Sequence, residues 1–360
     1  MRIYLTFTLL TCVILSSIAQ EQLLEKLSES FFKDSTNYGL AVGIVHNDSV
    51  KDFYYGGKYY PNNLDIDDRT IFEIGSVSKT FTSYILASMQ VKGIIHKDDH
   101  LTDYMFSSLE NKKVFEPVLL KNLATHTSGI PLTGTDDWQV LQKDQRFNPE
   151  SQFDLLTKEF IYEKLAKMDS LNNFGTYRYS NVGLSILSFV LQKKTSLSYQ
   201  ELLQKLISDP LQLKDLYLEV PQDKVHRIAM PHQKELQVPL IELSDTKAAG
   251  GVKTTMPDML VYLNSLANPK TKAQKQIQQL LFEPQFTDNN LKHLGLSWGI
   301  YKLAGEQVYF HNGGTYGSGS IAIICPSKKL AIALFANSQV TSEVQSYGIK
   351  IIEEIISGNN

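Results

Sequence analysis

Three short stretches place side chains that could pass protons around a nucleophile: Ser76-Val-Ser-Lys79, Tyr179-Ser-Asn181 and His311-Asn-Gly-Gly314. A serine hydroxyl attacks weakly until a base takes its proton, and a lysine three residues later on a helix lies one turn away on the same face. For Lys79 to accept that proton near neutral pH, its pKa must fall by roughly three units, about 4 kcal/mol, through burial or neighbouring positive charge. The chemistry therefore demands a buried helix start and a second polar partner.

Ser-x-x-Lys alone is weak, because Ser30-Phe-Phe-Lys33 and Ser244-Asp-Thr-Lys247 fit the same pattern. Ser76 differs in context. An apolar run and Gly75 precede it, and Phe81, Ile85, Leu86 and Met89 follow at core-helix spacing, so its hydroxyl is expected at a buried helix N-terminus. Tyr179 can relay a proton, and Asn181 can hydrogen-bond both a substrate amide and Lys79. That tripeptide pattern also recurs, at Tyr60-Pro-Asn62 and Tyr262-Leu-Asn264. Gly313 and Gly314, on a strand edge, would let a substrate backbone approach and could leave an N–H open to an oxyanion, although paired glycines also make plain hairpin turns.

The elements that must position these groups are legible around them. Residues 1–19 read as an export signal, from Arg2, the apolar run Leu9 to Leu15 and the small residues Ser17-Ile-Ala19. Cys12 sits in a poor lipobox context, so lipoprotein anchoring is disfavoured. The chain then reads as one domain over 20–360, with a sheet part at about 20–90 and 250–360 and a helical part at about 91–249. Leu23, Leu24, Leu27, Phe31 and Phe32 recur at helical spacing. Leu40 to Val45 and Val50 to Tyr55, parted by Asn47-Asp48, predict an antiparallel hairpin. Strand-like runs return at Ser297 to Lys302, Val308 to Phe310, Ser320 to Ile324 and Leu330 to Phe335, before an apolar-periodic segment at Val344 to Ile356. Between these ends, Phe153 to Met168, Val182 to Gln192 and Tyr199 to Ile207 read as helices. The fold class is α/β in the α+β sense: an antiparallel sheet built from both chain ends, flanked by helices, with an inserted helical region and a site at the seam.

In this order, Ser76-Val-Ser-Lys79, Tyr179-Ser-Asn181 and His311-Asn-Gly-Gly314 resemble the penicillin-recognising serine hydrolases, in the class C β-lactamase and D-alanyl-D-alanine peptidase branch. The resemblance extends to Leu123-Ala-Thr-His-Thr-Ser-Gly-Ile-Pro131 and to the segment from Ala248 to Met259. It implies Ser76 as nucleophile, Lys79 as its base and Tyr179 as proton carrier to the leaving group. Asn181 would orient the substrate, His311 would line the opposite wall with Gly313, and the N–H groups of Ser76 and Gly314 would hold the oxyanion. One departure bears on the substrate: the branch's β-lactamases usually carry Lys-Thr-Gly where this chain has His311-Asn-Gly, so a permanent cation gives way to a group charged only part of the time. The Ser-Asp-Asn and Lys-Thr-Gly partners of class A chemistry are both absent in that form.

Composition narrows the remaining choices. The net charge of −3, which becomes −4 once Arg2 leaves, comes from interspersed charges with no basic stripe, which argues against nucleic acid. After signal removal Cys325 is the sole cysteine, so no internal disulfide can form, and no later apolar run is long enough to span a bilayer. His96-Lys-Asp-Asp-His100 has a metal-compatible spacing, but three intervening charges after Gly93 favour a solvated loop. No metal or cofactor is expected. His226 and His232 read as surface or packing residues, and Tyr54, Tyr55, Tyr59 and Tyr60 as packing near the hairpin. The expected function is an exported, periplasmic or secreted serine hydrolase acting on a D-amino-acid peptide, β-lactam or ester. The alternatives are an esterase of the same family, or a penicillin- or cell-wall-peptide-binding protein with little turnover.

Overall fold

A computed structural model describes residues 21–59, 64–104, 113–130, 153–288 and 293–358. Residues 1–19, read above as an export signal, Tyr60 and Pro131 lie outside them. Helix α1 spans 21–31. The predicted hairpin is β1 (Gly39–His46) and β2 (Ser49–Gly56), paired antiparallel. Asn47 and Asp48 take φ of 50° and 69°, the doubly left-handed turn whose twist suits a two-residue hairpin.

The last third supplies β3 (Phe286–Thr287), β4 (His293–Leu294), β5 (Gly299–Leu303), β6 (Glu306–Gly314), β7 (Gly319–Cys325) and β8 (Leu330–Ala336). All eight join one antiparallel sheet in the order β2-β1-β8-β7-β6-β5-β4-β3. Its closure joins the two ends of the chain, with Val42 of β1 opposite Leu334 of β8. The helical elements, in chain order, are α2 (Ser78–Val91), α3 (Leu120–Ala124), α4 (Lys158–Ala166), α5 (Asn181–Thr195), α6 (Tyr199–Leu203), α7 (Met256–Ala267), α8 (Lys272–Phe282) and α9 (Thr341–Ser357).

Strand alternation sorts the core into two layers. Leu40, Val42, Ile44, Ile321, Ile323, Ile332 and Leu334 pack with Leu24 and Phe31 of α1 and with Val344 and Ile351 of α9. Their neighbours Ala41, Ala322, Ala331 and Ala333 face the opposite side, toward α2 and α7. These small residues admit α7 so closely that a Cβ on Gly43 would lie 2.5 Å from Met256 Sδ. With both faces covered, β1, β7 and β8 read as nearly continuous apolar runs. Each fully buried Leu, Ile or Phe contributes about 1.5–3 kcal/mol to holding the layers. Tyr54 and Tyr55 pack against one layer each, as expected.

One helix starts later than the sequence reading has it, and one short strand joins a sheet that the reading did not assign. Phe153 to Leu156 precede α4 because Thr157 caps that helix, its side chain accepting from Phe160 N at 3.2 Å. The run at Ile71 to Ile74 contributes only Phe72–Glu73 as strand, in a small sheet with Lys253–Thr254 and Leu216–Tyr217 rather than in the main one. That pairing brings the chain just before Ser76 alongside the chain just after Ala249. No helix among the described residues is long and apolar enough to cross a membrane.

Candidate active site

Ser76 sits in the 3₁₀ turn Gly75–Val77, which runs directly into α2. Gly75 takes φ +48°, and a Cβ there would lie 2.6 Å from Gly314 O; one on Gly313 would lie 2.2 Å from Ile74 O. Only glycines let the end of β6 rest against the turn. Side chains fix the contact: Ser320 Oγ donates to Ile74 O at 2.8 Å, and Ser78 Oγ accepts from Val252 N at 3.0 Å. Every α2 residue from Ser78 to Met89 is buried, so the helix carries Lys79 inward to 0% exposure.

There Lys79 Nζ donates to Ser76 Oγ at 3.0 Å and to the Ala249 carbonyl at 2.6 Å. Tyr179 OH donates to Ser76 Oγ at 2.6 Å, and Lys79 Nζ lies 4.7 Å from the centre of its ring. Tyr179 is held from behind, because Ser180 caps α5 by accepting from Gly183 N at 2.9 Å while Ser180 N donates to His126 Nδ1 at 3.1 Å. The His126 ring packs on the Tyr179 ring at 4.5 Å.

Burial governs the protons. It holds Lys79 well below the ordinary lysine range and Tyr179 above the ordinary tyrosine range. His311, on β6, is pushed down to about 3 by burial and then by Lys79, so its ring is neutral at physiological pH. Among the described residues no carboxylate bonds Lys79; its acceptors are a hydroxyl and a carbonyl. This arrangement presents a serine oxygen to an amine whose charged form burial disfavours and to an undissociated phenol, a set able to move one proton in either direction.

Ser76 and Tyr179 each line a cavity. One, of about 90 Å³, is lined by Ser76, Asn181, Gly314, Phe153, Leu156 and Leu243 among others. The second, of about 140 Å³, is lined by Tyr179, His311, Asn312, His126, Tyr177 and Tyr301 among others. The structure thus brings Ser76, Lys79, Tyr179, Asn181, His311, Gly313 and Gly314 to one place. Asn181 faces the cavity without bonding Lys79, whose hydrogens go to Ser76 and Ala249 instead. The competing Ser-x-x-Lys pairs lack this setting: Ser30 is exposed, and Lys247 pairs with Glu219 at 2.6 Å. The histidines of the 96–100 segment face different partners, His96 meeting Gln90 and Asp98, and His100 the Glu116 carbonyl. His232 is fully buried against Tyr38, as a packing residue would be.

Two site contributors escape residue-type reasoning. The Ala249 carbonyl is a main-chain group with no side-chain signal. Glu73, 2% exposed, accepts from Ile241 N at 2.7 Å and from Thr315 Oγ1 at 2.9 Å, tying the residue after Gly314 to the cavity wall. Its signal was a lone carboxylate within the apolar run Ile71-Phe-Glu-Ile74.

A family model described as Beta-lactamase matches residues 24–354. A beta-lactamase of Providencia stuartii is 27% identical over 264 residues, covering 73% of this chain and 64% of that protein, so the match spans a little under two thirds of that relative's length. A class C beta-lactamase from Rhodobacter sphaeroides superposes with a TM-score of 0.81 at 21% identity, over 93% of this chain and 99% of that one. A beta-lactamase/D-alanine carboxypeptidase from Pseudomonas syringae gives 0.80 at 19% identity, over 94% and 98%. At such identities the superpositions establish the fold: a mixed α/β architecture on an antiparallel sheet. With a family match over most of its length, the chain belongs to the Beta-lactamase family of penicillin-recognising serine hydrolases.

Proposed function

We propose that the protein is a serine acyl hydrolase that cleaves an amide, β-lactam or ester bond through an acyl-Ser76 intermediate. The observation that carries this reading is Ser76 Oγ held between Lys79 Nζ at 3.0 Å and Tyr179 OH at 2.6 Å, with burial disfavouring the charged form of each group. Lys79 takes the Ser76 proton as Oγ attacks the carbonyl carbon. The N–H groups of Ser76 and Gly314 receive the developing oxyanion, and Asn181 orients the acyl side in its cavity. Tyr179 hands a proton to the departing atom. Water then attacks the acyl ester, its proton returning through the same pair. His311 and Gly313 form the facing wall.

The names of the relatives, beta-lactamase and D-alanine carboxypeptidase, support β-lactams and D-alanyl peptides as candidate substrates. We also place the protein outside the cytoplasm, in a periplasm or secreted, on the strength of Arg2, the run Leu9 to Leu15 and Ser17 to Ala19. The test is intact mass and product release with a penicillin, a cephalosporin, a D-Ala-D-Ala peptide and a p-nitrophenyl ester, for the native chain and Ser76→Ala. A transient adduct and turnover that both vanish in the variant are expected. Hydrolysis retained by Ser76→Ala would overturn the nucleophile.

A further inference from the structure

The cavity lined by Ser76 and the one lined by its partner Tyr179 share a property. None of the described residues lining either one carries a carboxylate, an ammonium or a guanidinium group. The larger is also strongly aromatic, with His126, Tyr177, Tyr301 and Phe310 around it. Because Tyr179 borders this cavity and bonds Ser76 Oγ, a leaving group that takes its proton from Tyr179 departs here. The polar groups on its β6 wall are uncharged too. Asn312 already donates through Nδ2 to Gln345 Oε1 of α9 at 3.0 Å, and His311 Nδ1 is paired with the Asn312 carbonyl at 2.7 Å.

We propose that this cavity receives an uncharged, planar leaving group, so that the preferred substrates are neutral aryl or similarly flat esters rather than acyl compounds with a carboxylate beside the scissile bond. The inference rests on the acyl-hydrolase reading above. Size agrees: the cavity holds about 140 Å³, and apolar cavities of about 150 Å³ take up benzene. Chemistry agrees as well. A ring gains edge and face contacts with aromatic walls, whereas a carboxylate drawn in would lose its hydration and find no cation among the lining residues. Burial keeps His311 neutral, so it cannot supply that cation at physiological pH.

The step balances without a co-reactant. Ser76 Oγ forms a bond to the acyl carbon, the bond from that carbon to the aryl oxygen breaks, and the serine proton reaches the aryl oxygen to release a phenol. Water then cleaves the acyl ester, returning Ser76 and releasing a carboxylic acid.

The test compares three acetates with one acyl group: phenyl acetate, 3-acetoxybenzoate and (3-acetoxyphenyl)trimethylammonium. For each, kcat/KM is normalised to its rate of hydrolysis by hydroxide, and intact mass is followed for acetyl-Ser76. Phenyl acetate should exceed both charged esters by at least about tenfold. Tyr301 is 44% exposed at the cavity rim; Tyr301→Lys should cut the preference of phenyl acetate over 3-acetoxybenzoate by at least about threefold. An anionic ester handled as well as the neutral one, with acetyl-Ser76 formed, overturns the specificity and leaves the hydrolase standing. A preference unmoved by Tyr301→Lys overturns this cavity as the leaving-group site. No adduct and no turnover with any of the three, or with the penicillin, cephalosporin and peptide, overturns the hydrolase and this inference together.

Discussion

Lys79 and Asp215 are both ionisable side chains drawn into the fold, and the fold treats them in opposite ways. Asp215 is met by charge: Arg227 donates through both terminal nitrogens at 3.0 and 2.7 Å, Lys224 Nζ at 3.0 Å and Tyr217 OH at 2.8 Å. Burial alone would raise that carboxyl, but these bonds outweigh it and bring it down to about 2. Lys79 is met by a hydroxyl and a carbonyl, and burial drives it toward the neutral amine. A structural cluster keeps its charges by pairing them. A reactive one sheds them by withholding partners, at the expense of stability.

Deleting the reacting atom should give the largest effect. Ser76→Ala should lower kcat by about 10⁵-fold or more with an unchanged melting temperature, as activity assays and calorimetry would show together. Lys79→Met sharpens the contrast, because activity and stability should move in opposite directions: kcat falls by about 10²–10⁴-fold while Tm rises. A fall in Tm would mean that the lysine is structural. Tyr179→Phe should cost a comparable 10²–10⁴-fold, roughly, in kcat with little change in Tm.

The pH profile separates the two regions. With Lys79 lowered in the folded state, the neutral base disappears as pH falls, so kcat/KM should drop on the acid side. The same shift means that the unfolded chain binds this proton more readily than the folded one, so Lys79 destabilises the fold below about pH 10.4, and less so as pH rises toward that value. Asp215 has the opposite sign. Its contribution is present above the ordinary carboxylate value of 3.8 and is lost as pH falls through about 2. Asp215→Asn should accordingly lower stability at neutral pH by about 1.5–3 kcal/mol, read by denaturant unfolding, with kcat nearly unchanged. The smallest effects belong to Ser30→Ala and Ser244→Ala, which should leave turnover within about twofold; a large loss from either in a folded protein would reopen the choice among the three Ser-x-x-Lys pairs.

How far the sequence could be read depends on what kind of signal each part leaves. The hairpin was visible because Asn47-Asp48 is a turn pair between two β-rich runs, and β7 and β8 because strands covered on both faces must be apolar throughout. Ser76, Lys79 and Tyr179 were legible through side-chain chemistry at fixed spacing. Their meeting was not, since 103 residues separate Ser76 from Tyr179 and no local pattern reports that distance. The Ala249 carbonyl left no trace, because a main-chain oxygen is the same in every residue. The sheet that Phe72–Glu73 joins left no signal for a related reason: four apolar-rich residues suit a main sheet and a two-residue bridge equally, and only the pairing with Lys253–Thr254 decides.

The pairing of β1 with β8 has a bearing on the order of events during synthesis. Leu40 finds Ala336 as its neighbour, and the turn that holds Ser76 leans on Gly313 and Gly314. Contacts of such long sequence separation slow folding, because loop closure precedes any reward. A chain growing from its N-terminus therefore carries β1 without its central partner until β8 has been made, and its serine stays unarmed until β6 arrives. Because β6 and β8 lie close together in the sequence, the closed sheet and the complete site come into being together.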